Sequence, residues 1–384
     1  MSFQSSLFIL VLSFLSSVSP LLLYMRPLPL AIQSRLHKKL HLCPTHPIGI
    51  TNNLLLNFFK SKHNIPEFKT PLSPVVSVQP AFDELLIPPT HPSRSVSDTF
   101  YVDTNSVLRP QSTCYQRSAL QTIKETSGQA SGRVWTCDVY RRDEVDRTHF
   151  PVFHQMDGVK LFDKAATTEV AALRDLKETL EEAVIWLHDH ANLKRPEIMK
   201  WISDVTFPFT HPSAELEVDG VELLGCGLVR EELLLDPSAE RGWAFGVGLE
   251  RLAMRLFGID DIRIFWSEDE RILGQFKAGV VTPYIPVNKR CFPAVQRDLS
   301  FWLNGNFETN EFYEVCRDAT ESVCNALESV VLIDDFVNVQ TQRKSLCFRL
   351  TYRALDRTLT NEEVNEWHEK VASRVASQLG VLIR

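Results

Sequence analysis

The first 66 residues of this 384-residue chain contain no aspartate or glutamate, although they contain six lysines and arginines. A serine-rich leader without acids and with scattered arginines is typical of an organellar transit peptide, which we expect over residues 1–40. Two alternatives remain open. The apolar run Leu7–Leu15 fits a secretory signal, although no basic residue precedes it. A membrane anchor is the second alternative, but Pro20 and the serines interrupt the run before about 20 apolar residues accumulate.

No pair among the eight cysteines has the C-x-x-C spacing. This absence argues against a structural zinc site, and a disulfide scaffold is not expected in a chain of this size. A reducing compartment therefore suits the cysteines. The chain is also not basic overall, because its net charge is −7. Any contact with nucleic acid must then come from a local cluster of cations.

The length allows two or three domains. The proline-containing segment 277–290 predicts a linker between a large unit, residues 41–276, and a tail, residues 291–384. The tail predicts the order strand, helix, strand, strand, helix, strand, which is the split-βαβ, ferredoxin-like arrangement. Its predicted elements are Val295–Leu303, Asn310–Leu327, Val330–Val337, Leu346–Arg353, a helix that begins with the capping pair Thr360 and Glu363, and a strand after Gly380.

A predicted hairpin in the large unit carries polar side chains suited to a ligand; its strands are Gly132–Arg142 and Pro151–Phe162. Because side chains alternate along a strand, one face of the second strand presents an aromatic ring, an amide and a carboxylate, from Phe153, Gln155 and Asp157. This face suits a flat base and an amino group. The planar guanidinium of Arg141 suits an anion. The alternative is a half-buried hairpin with solvated charges.

A second group lies where the predicted strand Gly242–Gly248 leads into the helix Leu249–Phe257. Arg251 falls in the first turn, away from the apolar face of that helix. A cation at a helix N-terminus is unfavourable unless an anion is bound there, which favours a phosphate site. The alternative is a surface arginine on an amphipathic helix. The G-x-G-x-x-G spacing of a dinucleotide site is absent.

A third group consists of aromatic residues followed by glycines. In the predicted strands Phe207–Val218 and Gly220–Leu228, Phe207 and Phe209 point the same way by strand alternation, and Gly225 and Gly227 leave space opposite. A slot of this kind suits an aromatic side chain. An ordinary sheet core is the alternative.

Together these groups resemble the class II aminoacyl-tRNA synthetases, and specifically the phenylalanyl-tRNA synthetase family. The similar segments are FPFTHPS, LLGCG, GWAFGVGLERLAM, IDDIRIFW, HPSRSVSDTFYV, THPIG and FPAVQRDLSFWL, in the family's order, from about Leu42 to the end. The resemblance implies an α+β fold in which helices flank an antiparallel sheet. It also implies a C-terminal ferredoxin-like anticodon-binding domain, as in the organellar single-chain enzymes.

The resemblance implies a role for each matching residue. Arg141 and Arg251 would be the catalytic arginines, at the α-phosphate and the terminal phosphate respectively. The ATP site would comprise Arg141, Asp143, His149, Phe153, Glu250 and Arg251. The phenylalanine site would comprise Gln111, Thr113, Gln155, Asp157, Phe207, Phe209, Gly225, Gly227 and Ala244. ATP would be a substrate used with Mg²⁺, and no resident metal is expected.

The chain departs from the family in its ammonium-binding residues. Gln111 and Thr113 stand where the family has a histidine and a serine, and Asp157 stands where it has a glutamate. The stretch Asp163–Thr206 is also shorter than in the family. These departures keep a second function open, a synthetase-like RNA-binding protein whose catalytic pocket has drifted.

The expected partners are phenylalanine and tRNA(Phe), bound by a monomer in the mitochondrial matrix, with no membrane. The candidate tRNA surface is a cationic cluster in the tail, where Asp356 is the opposing acid nearby in the sequence. Its members are Arg343, Lys344, Arg349, Arg353 and Arg357. A solvated strand face is the alternative.

Overall fold

The structure, a computed structural model, describes residues 27–126, 129–287, 292–321 and 326–384. The helices are α1 Leu30–Gln33, α2 Pro47–His63, α3 Val78–Ala81, α4 Gln116–Glu125, α5 Glu169–His190, α6 Leu249–Phe257, α7 Glu270–Leu273, α8 Thr309–Thr320 and α9 Asn361–Leu379. The strands are β1 Val75–Ser77, β2 Ser106–Leu108, β3 Gly132–Tyr140, β4 Val152–Asp163, β5 Met199–Ile202, β6 Thr210–Val218, β7 Val221–Val229, β8 Glu240–Gly248, β9 Val295–Trp302, β10 Leu327–Val337, β11 Lys344–Tyr352 and β12 Leu382–Ile383.

Six strands form the central sheet in the order β3-β4-β8-β7-β6-β5, and every neighbouring pair is antiparallel. Alternation along β8 assigns its side chains to two layers. Phe245 joins the core under α2, where its ring stacks on Phe59 with centroids 5.1 Å apart. Ala244 joins the smaller apolar cluster on the other face, with Trp135 and Leu120. Helices α2, α5 and α6 therefore cover one face. The functional groups lie on the other face, against which α4 packs through Leu120.

The tail forms a separate four-stranded antiparallel sheet in the order β10-β11-β9-β12, with α8 and α9 on one side. This is the predicted ferredoxin-like arrangement. The capping box of Thr360 and Glu363 is present at the start of α9. The predicted helix Asn310–Leu327 was too long at its end, because α8 ends at Thr320 and Leu327 already begins β10.

Residues 27–40 pack against the rest of the chain, and the expected end of the leader at residue 40 stays a prediction. Ala31 and Ile32 are buried, and Arg35 is only 6% exposed. Arg35 donates to Glu321 of the tail over 2.6 Å and lies over the rings of Phe150 and Trp266. The apolar run Leu7–Leu15 lies outside the described residues. Within those residues, no helix is both long and apolar enough to cross a bilayer.

The tail packs against the loop that joins β3 to β4. Arg142 of this loop forms an ion pair with Glu314 on α8. The backbone N–H of Val330 donates to the carbonyl of Val145 over 2.9 Å, and Val145 is buried in the core of the tail. The two units therefore share one continuous contact beside the hairpin that carries the candidate site residues.

Candidate active site

A cavity of about 610 Å³ opens on the sheet face opposite α2, α5 and α6. Fourteen of the fifteen residues that the resemblance assigned to ATP and phenylalanine line it. They are Gln111, Thr113, Arg141, Asp143, His149, Phe153, Gln155, Asp157, Phe207, Phe209, Gly225, Ala244, Glu250 and Arg251. Strands β4, β7 and β8 bring together residues that are distant in the sequence, such as Phe153 and Ala244.

The floor of the cavity is one cross-strand row. Asp157 on β4 opposes Gly246 on β8, Gly246 opposes Gly225 on β7, and Gly225 opposes Glu215 on β6. The two glycines thus separate two carboxylates. A Cβ atom at Gly246 would lie 3.1 Å from the Asp157 carboxylate. The absence of side chains in the centre leaves room for a ligand between the acids.

Asp157 is buried at one end of this row, with 4% exposure. It accepts hydrogen bonds from the hydroxyls of Ser112 and of Thr113, the latter at 2.6 Å. Burial raises the pKa of Asp157 to about 6, against the lowering effects of these hydroxyls and of the Arg141 charge. A buried carboxylate with two donors and space above it is suited to a substrate cation.

Two amides lie near this carboxylate. The side-chain oxygen of Gln155 accepts from the backbone N–H of Ser112 at 3.3 Å. Gln111 donates its amide to the carbonyl of Ala81 over 3.1 Å. Residues Ser112 and Thr113 form a turn whose hydroxyls donate to Asp157. Because Gln155 also bonds to this turn, two residues of β4 hold it in place.

Arg141 lies immediately after β3, beside the ring of Phe153. Its guanidinium carbon is 5.4 Å from the ring centroid, and its Nε atom donates to the carbonyl of Pro110 over 2.6 Å. Burial lowers the pKa of Arg141, which Asp143 and Asp157 oppose. The group remains cationic at neutral pH because an arginine titrates far above it. The ring of Phe153 and the guanidinium of Arg141 thus offer a flat face and a positive charge next to each other.

Arg251 lies across the cavity in the first turn of α6. Its Nη1 atom donates to the carbonyl of Glu222 over 2.9 Å and lies 3.2 Å from the carboxylate of the same residue. Its side chain is 39% exposed, so it can move toward a ligand without leaving a buried acid unpaired. The two arginines therefore face one space from opposite walls.

Glu250 is held by a residue that the sequence analysis did not single out. The buried His154 donates its backbone N–H over 2.9 Å to the carboxylate, and its Nδ1 atom lies 2.7 Å from the other oxygen. Both carboxylate oxygens therefore have a partner within the protein. This arrangement suits a positioning contact at the start of α6.

The rings of Phe207 and Phe209 are nearly parallel, with an angle of 8° and centroids 5.9 Å apart. The predicted strand began too early, because β6 starts at Thr210 and both rings lie in the preceding loop. A Cβ atom at Gly225 would lie 2.8 Å from the ring of Phe207. Gly225 therefore makes room for that ring, which in turn forms one wall of the cavity.

Gly227 is the assigned residue that the structure places elsewhere. A Cβ atom at this position would lie 2.5 Å from the carbonyl oxygen of Pro212 and 2.8 Å from Thr210. Gly227 thus permits the close approach of β6 to β7. Among the described residues it is not part of the cavity lining, and its place in the aromatic slot stays a prediction.

His149 and its neighbour Asp146 lie in the loop between β3 and β4. The Nδ1 atom of His149 is 2.8 Å from the Asp146 carboxylate, and this hydrogen bond raises the pKa of His149. The histidine is therefore protonated more readily than in water. A cationic ring at the cavity mouth would attract phosphate.

Two family models match the chain. "tRNA synthetases class II core domain (F)" matches residues 38–276, and "Ferredoxin-fold anticodon binding domain" matches residues 291–384. The curated relatives include the Arabidopsis thaliana "Phenylalanine--tRNA ligase, chloroplastic/mitochondrial", 40% identical over 370 residues, with 93% of this chain and 82% of the relative covered. The mitochondrial phenylalanine--tRNA ligase of Saccharomyces cerevisiae is 33% identical, covering 90% and 89%, and that of Mus musculus is 35% identical, covering 91% and 84%.

The chain belongs to the phenylalanine–tRNA ligase family. The predicted class II core and ferredoxin-fold anticodon-binding domain are thereby confirmed. The family's organellar members match along more than nine-tenths of the chain in the Arabidopsis thaliana and Mus musculus sequences. Gln111, Thr113 and Asp157 lie within the matched class II core, residues 38–276.

In the structure, most cationic side chains of the tail cluster have acidic partners. The sequence showed Asp356 as the opposing acid, but strand pairing brings further carboxylates to four members of the cluster. Three of these pairs cross the sheet or its end, and the fourth is local. They are Lys344 with Asp335, Arg349 with Asp298, Arg353 with Glu328, and Arg357 with Glu363.

Arg353 is the member least suited to an external RNA. Its carbonyl accepts from Arg263 of the ligase core over 2.9 Å, and its Nη1 atom donates to Phe292. The fifth member, Arg343, lies over the ring of Trp302 instead. The predicted cluster is thus mostly neutralised by partners that sequence proximity did not indicate.

Proposed function

We propose that this phenylalanine–tRNA ligase family member activates phenylalanine with ATP and transfers it to tRNA(Phe) in the mitochondrial matrix. The observation that carries the proposal is the convergence of Arg141, Arg251, Asp157 and the Phe207–Phe209 pair on one cavity. This set provides cations for phosphates, an anion for an ammonium group and aromatic walls for a ring. A drifted RNA-binding protein would need none of these groups together.

The amino acid would bind along the floor of the cavity. The ammonium group would meet Asp157, while Gln155 supplies an amide oxygen nearby. The ring would extend toward Phe207 and Phe209 and end at Ala244, whose small side chain bounds the slot. The carboxylate would then face Arg141, where the α-phosphate also binds.

In the first step, an oxygen of the phenylalanine carboxylate attacks the α-phosphorus of ATP. The bond to the bridging oxygen breaks and pyrophosphate leaves. Arg141 and Arg251 oppose the negative charge that develops on the phosphate oxygens. Phe153 would stack on the adenine. In the second step, a terminal ribose hydroxyl of tRNA attacks the acyl carbon and AMP leaves, so no protein nucleophile is required.

Glu215 and Glu222 are the carboxylates that fit a divalent cation at this site. Burial raises the pKa of Glu215, and the neighbouring charge of Glu222 raises it further, against the lowering effect of Arg251. A cation would take the place of Arg251 beside Glu222 when that arginine turns toward a phosphate. Glu250 fits less well, because His154 already occupies both of its oxygens. Bound Mg²⁺ would supply positive charge to the phosphates of ATP.

The domain arrangement follows the same proposal. Residues 41–276 form the ligase core, residues 277–290 link it to the tail, and residues 291–384 bind the tRNA anticodon. One chain carries both units, so a monomer suffices. A transit peptide would lie before the folded residue Leu30. A reporter fused to residues 1–66 should enter mitochondria, and delivery to the secretory pathway would contradict this assignment.

The activity is tested by phenylalanine-dependent exchange of labelled pyrophosphate into ATP, followed by charging of tRNA(Phe). The purified full chain should support both reactions. Exchange without charging would locate a defect in tRNA binding. The drifted RNA-binding alternative expects RNA binding without exchange, and that result would overturn the proposal.

A further inference from the structure

A row of side chains crosses all four strands of the tail sheet at one end. Phe336 on β10 opposes Ser345 on β11, Ser345 opposes Trp302 on β9, and Trp302 opposes Leu382 on β12. The adjacent residue Phe301 is fully buried against the helices. Because side chains alternate, Trp302 lies on the opposite, open face.

The aromatic members of this row are accessible. Phe336 is 42% exposed, and Trp302 is half-buried. Their ring centroids are 6.3 Å apart, with the ring planes tilted by 60°. Ser345 lies between them and has no ring of its own. Ser345 is itself only 3% exposed, so the two neighbouring rings form one continuous surface at this end of the sheet.

Two exposed arginines flank Trp302. The guanidinium carbons of Arg343 and Arg384 each lie 5.3 Å from its ring centroid. Neither guanidinium has a carboxylate partner among the residues that the structure describes, whereas the neighbouring Lys344 is paired with Asp335 at 2.8 Å. The guanidinium groups of Arg343 and Arg384 are thus held against the Trp302 ring and are available to an anion.

We propose that Trp302, Phe336, Arg343 and Arg384 form a stacking platform for unpaired bases of the tRNA anticodon loop. The inference rests on the proposed function and specifies which residues of the tail contact the RNA. Aromatic rings on an open sheet stack bases, and adjacent arginines contact the phosphates between them. A purely apolar protein partner would instead bury two guanidinium groups without an anion, which is costly.

The platform differs from the cationic cluster expected from the sequence, with which it shares only Arg343. Arg349 lies on the same open face but forms a bidentate pair with Asp298, with both distances 2.8 Å. A phosphate would have to compete with that carboxylate. The platform arginines face no such competitor within the described residues, so they should contribute more to RNA binding.

The first test measures the affinity of the full chain for a fluorescently labelled anticodon stem-loop of tRNA(Phe). Trp302→Ala should weaken binding by about 5- to 150-fold, the range expected when one stacked base loses its aromatic partner. Trp302→Phe should retain most of the affinity, because a phenyl ring still stacks. Lys370→Ala removes an exposed cation on α9, on the other side of the same domain, and is the matched control.

The second test concerns the arginines. Arg343→Ala should lower the slope of log Kd against log salt by about 0.7, as expected for one lost phosphate contact with single-stranded RNA. Arg349→Ala should change the slope less. A blunt RNA duplex of the same length, without the loop, should compete poorly with the stem-loop.

The proposal is overturned if folded Trp302→Ala protein binds the stem-loop as wild type does, or if the duplex competes equally well. A larger effect for Arg349→Ala than for Arg343→Ala would show that the RNA binds at the cationic cluster expected from the sequence and not at the platform. Failure of the proposed function has a different signature, since wild-type protein would then lack phenylalanine-dependent pyrophosphate exchange whatever its affinity for RNA.

Discussion

Thr113 donates its hydroxyl to the Asp157 carboxylate over 2.6 Å, at one end of the cavity floor. The adjacent Ser112 donates to the other oxygen of the same group. Asp157, which is one methylene shorter than the glutamate of the family, therefore accepts hydrogen bonds from two hydroxyls of one turn. Because the Asp157 carboxylate has little access to water, its ionised form is stabilised mainly by these donors and by the charge of Arg141.

Asp157 should make stability depend on pH in an unusual direction for an acid. Its pKa is about 6 in the folded state, above the ordinary value of 3.8. The folded state thus favours the protonated form, so this group's contribution to stability is lost as pH rises from about 4 to 6. Asp157→Asn removes the cost of burying the charge and should stabilise the protein by up to about 3 kcal/mol at pH 7.5.

The measurement is the free energy of unfolding of wild type and variant in urea at pH 4.5 and 7.5. Asp138→Asn is the matched control, because burial opposes ionisation there too but Arg109 and Lys39 outweigh it, and the pKa of Asp138 is lowered. That variant should be destabilised at pH 7.5. If Asp157→Asn loses stability in the same way, the burial argument for Asp157 is wrong. Asp157→Asn should also raise the KM for phenylalanine.

Arg251→Ala should reduce ATP–pyrophosphate exchange at least ~10-fold while the protein stays folded. A charge-assisted hydrogen bond to phosphate contributes about 1.5–3 kcal/mol, and the resting partner Glu222 is half exposed and tolerates its loss. Arg255→Ala, one turn later on α6, is the control. Arg255 pairs with Asp219 away from the cavity, so its loss should affect stability more than exchange. Wild-type exchange kinetics in folded Arg251→Ala would remove this residue from the site.

Ala244→Gly should widen the aromatic slot. Ala244 is 6% exposed and lines the cavity, so its methyl group limits the far end of a bound ring. An apolar pocket rejects an added hydroxyl by only about 100-fold. Wild type should therefore prefer phenylalanine over tyrosine without excluding it, and the variant should gain relative activity on tyrosine and para-chlorophenylalanine.

Exchange rates with these three amino acids test the position of the slot. Ala253→Gly is the control, since Ala253 is buried on α6 outside the cavity lining. It should lose stability without a change in preference. Identical relative activities of Ala244→Gly and wild type would show that the ring binds elsewhere.

Removal of residues 2–40 should destabilise the protein, whereas removal of residues 2–26 should not. The longer deletion takes away Arg35, with its ion pair to Glu321 and its contacts with Phe150 and Trp266. Arg35→Ala alone should cost about 2–4 kcal/mol, because a largely buried acid loses its cationic partner and keeps, among the described residues, only the hydroxyl of Ser34. Lys38→Ala should cost less than about 1 kcal/mol, since Glu268 is exposed. Equal thermal stability of the two deletions would show that this arm does not support the fold.

The sequence determined the local elements and the chemistry that they offer. Alternation placed Phe153, Gln155 and Asp157 on one face of β4, and the apolar period defined α6 with Arg251 in its first turn. Motif order identified the family and its two domains. These features depend on neighbouring residues, so a sequence displays them directly.

Only the tertiary structure decided which distant groups meet. Strand register placed Asp157, Gly246, Gly225 and Glu215 in one row, and it assigned Gly227 to sheet packing. Strand pairing also placed carboxylates of other strands beside three of the tail cations, and it placed Arg343 against the ring of Trp302. Folding also paired Arg35 with Glu321, which lies 286 positions away in the sequence. Pairing partners are selected by the global packing of both faces of a sheet, and a single sequence does not encode that register in any local pattern.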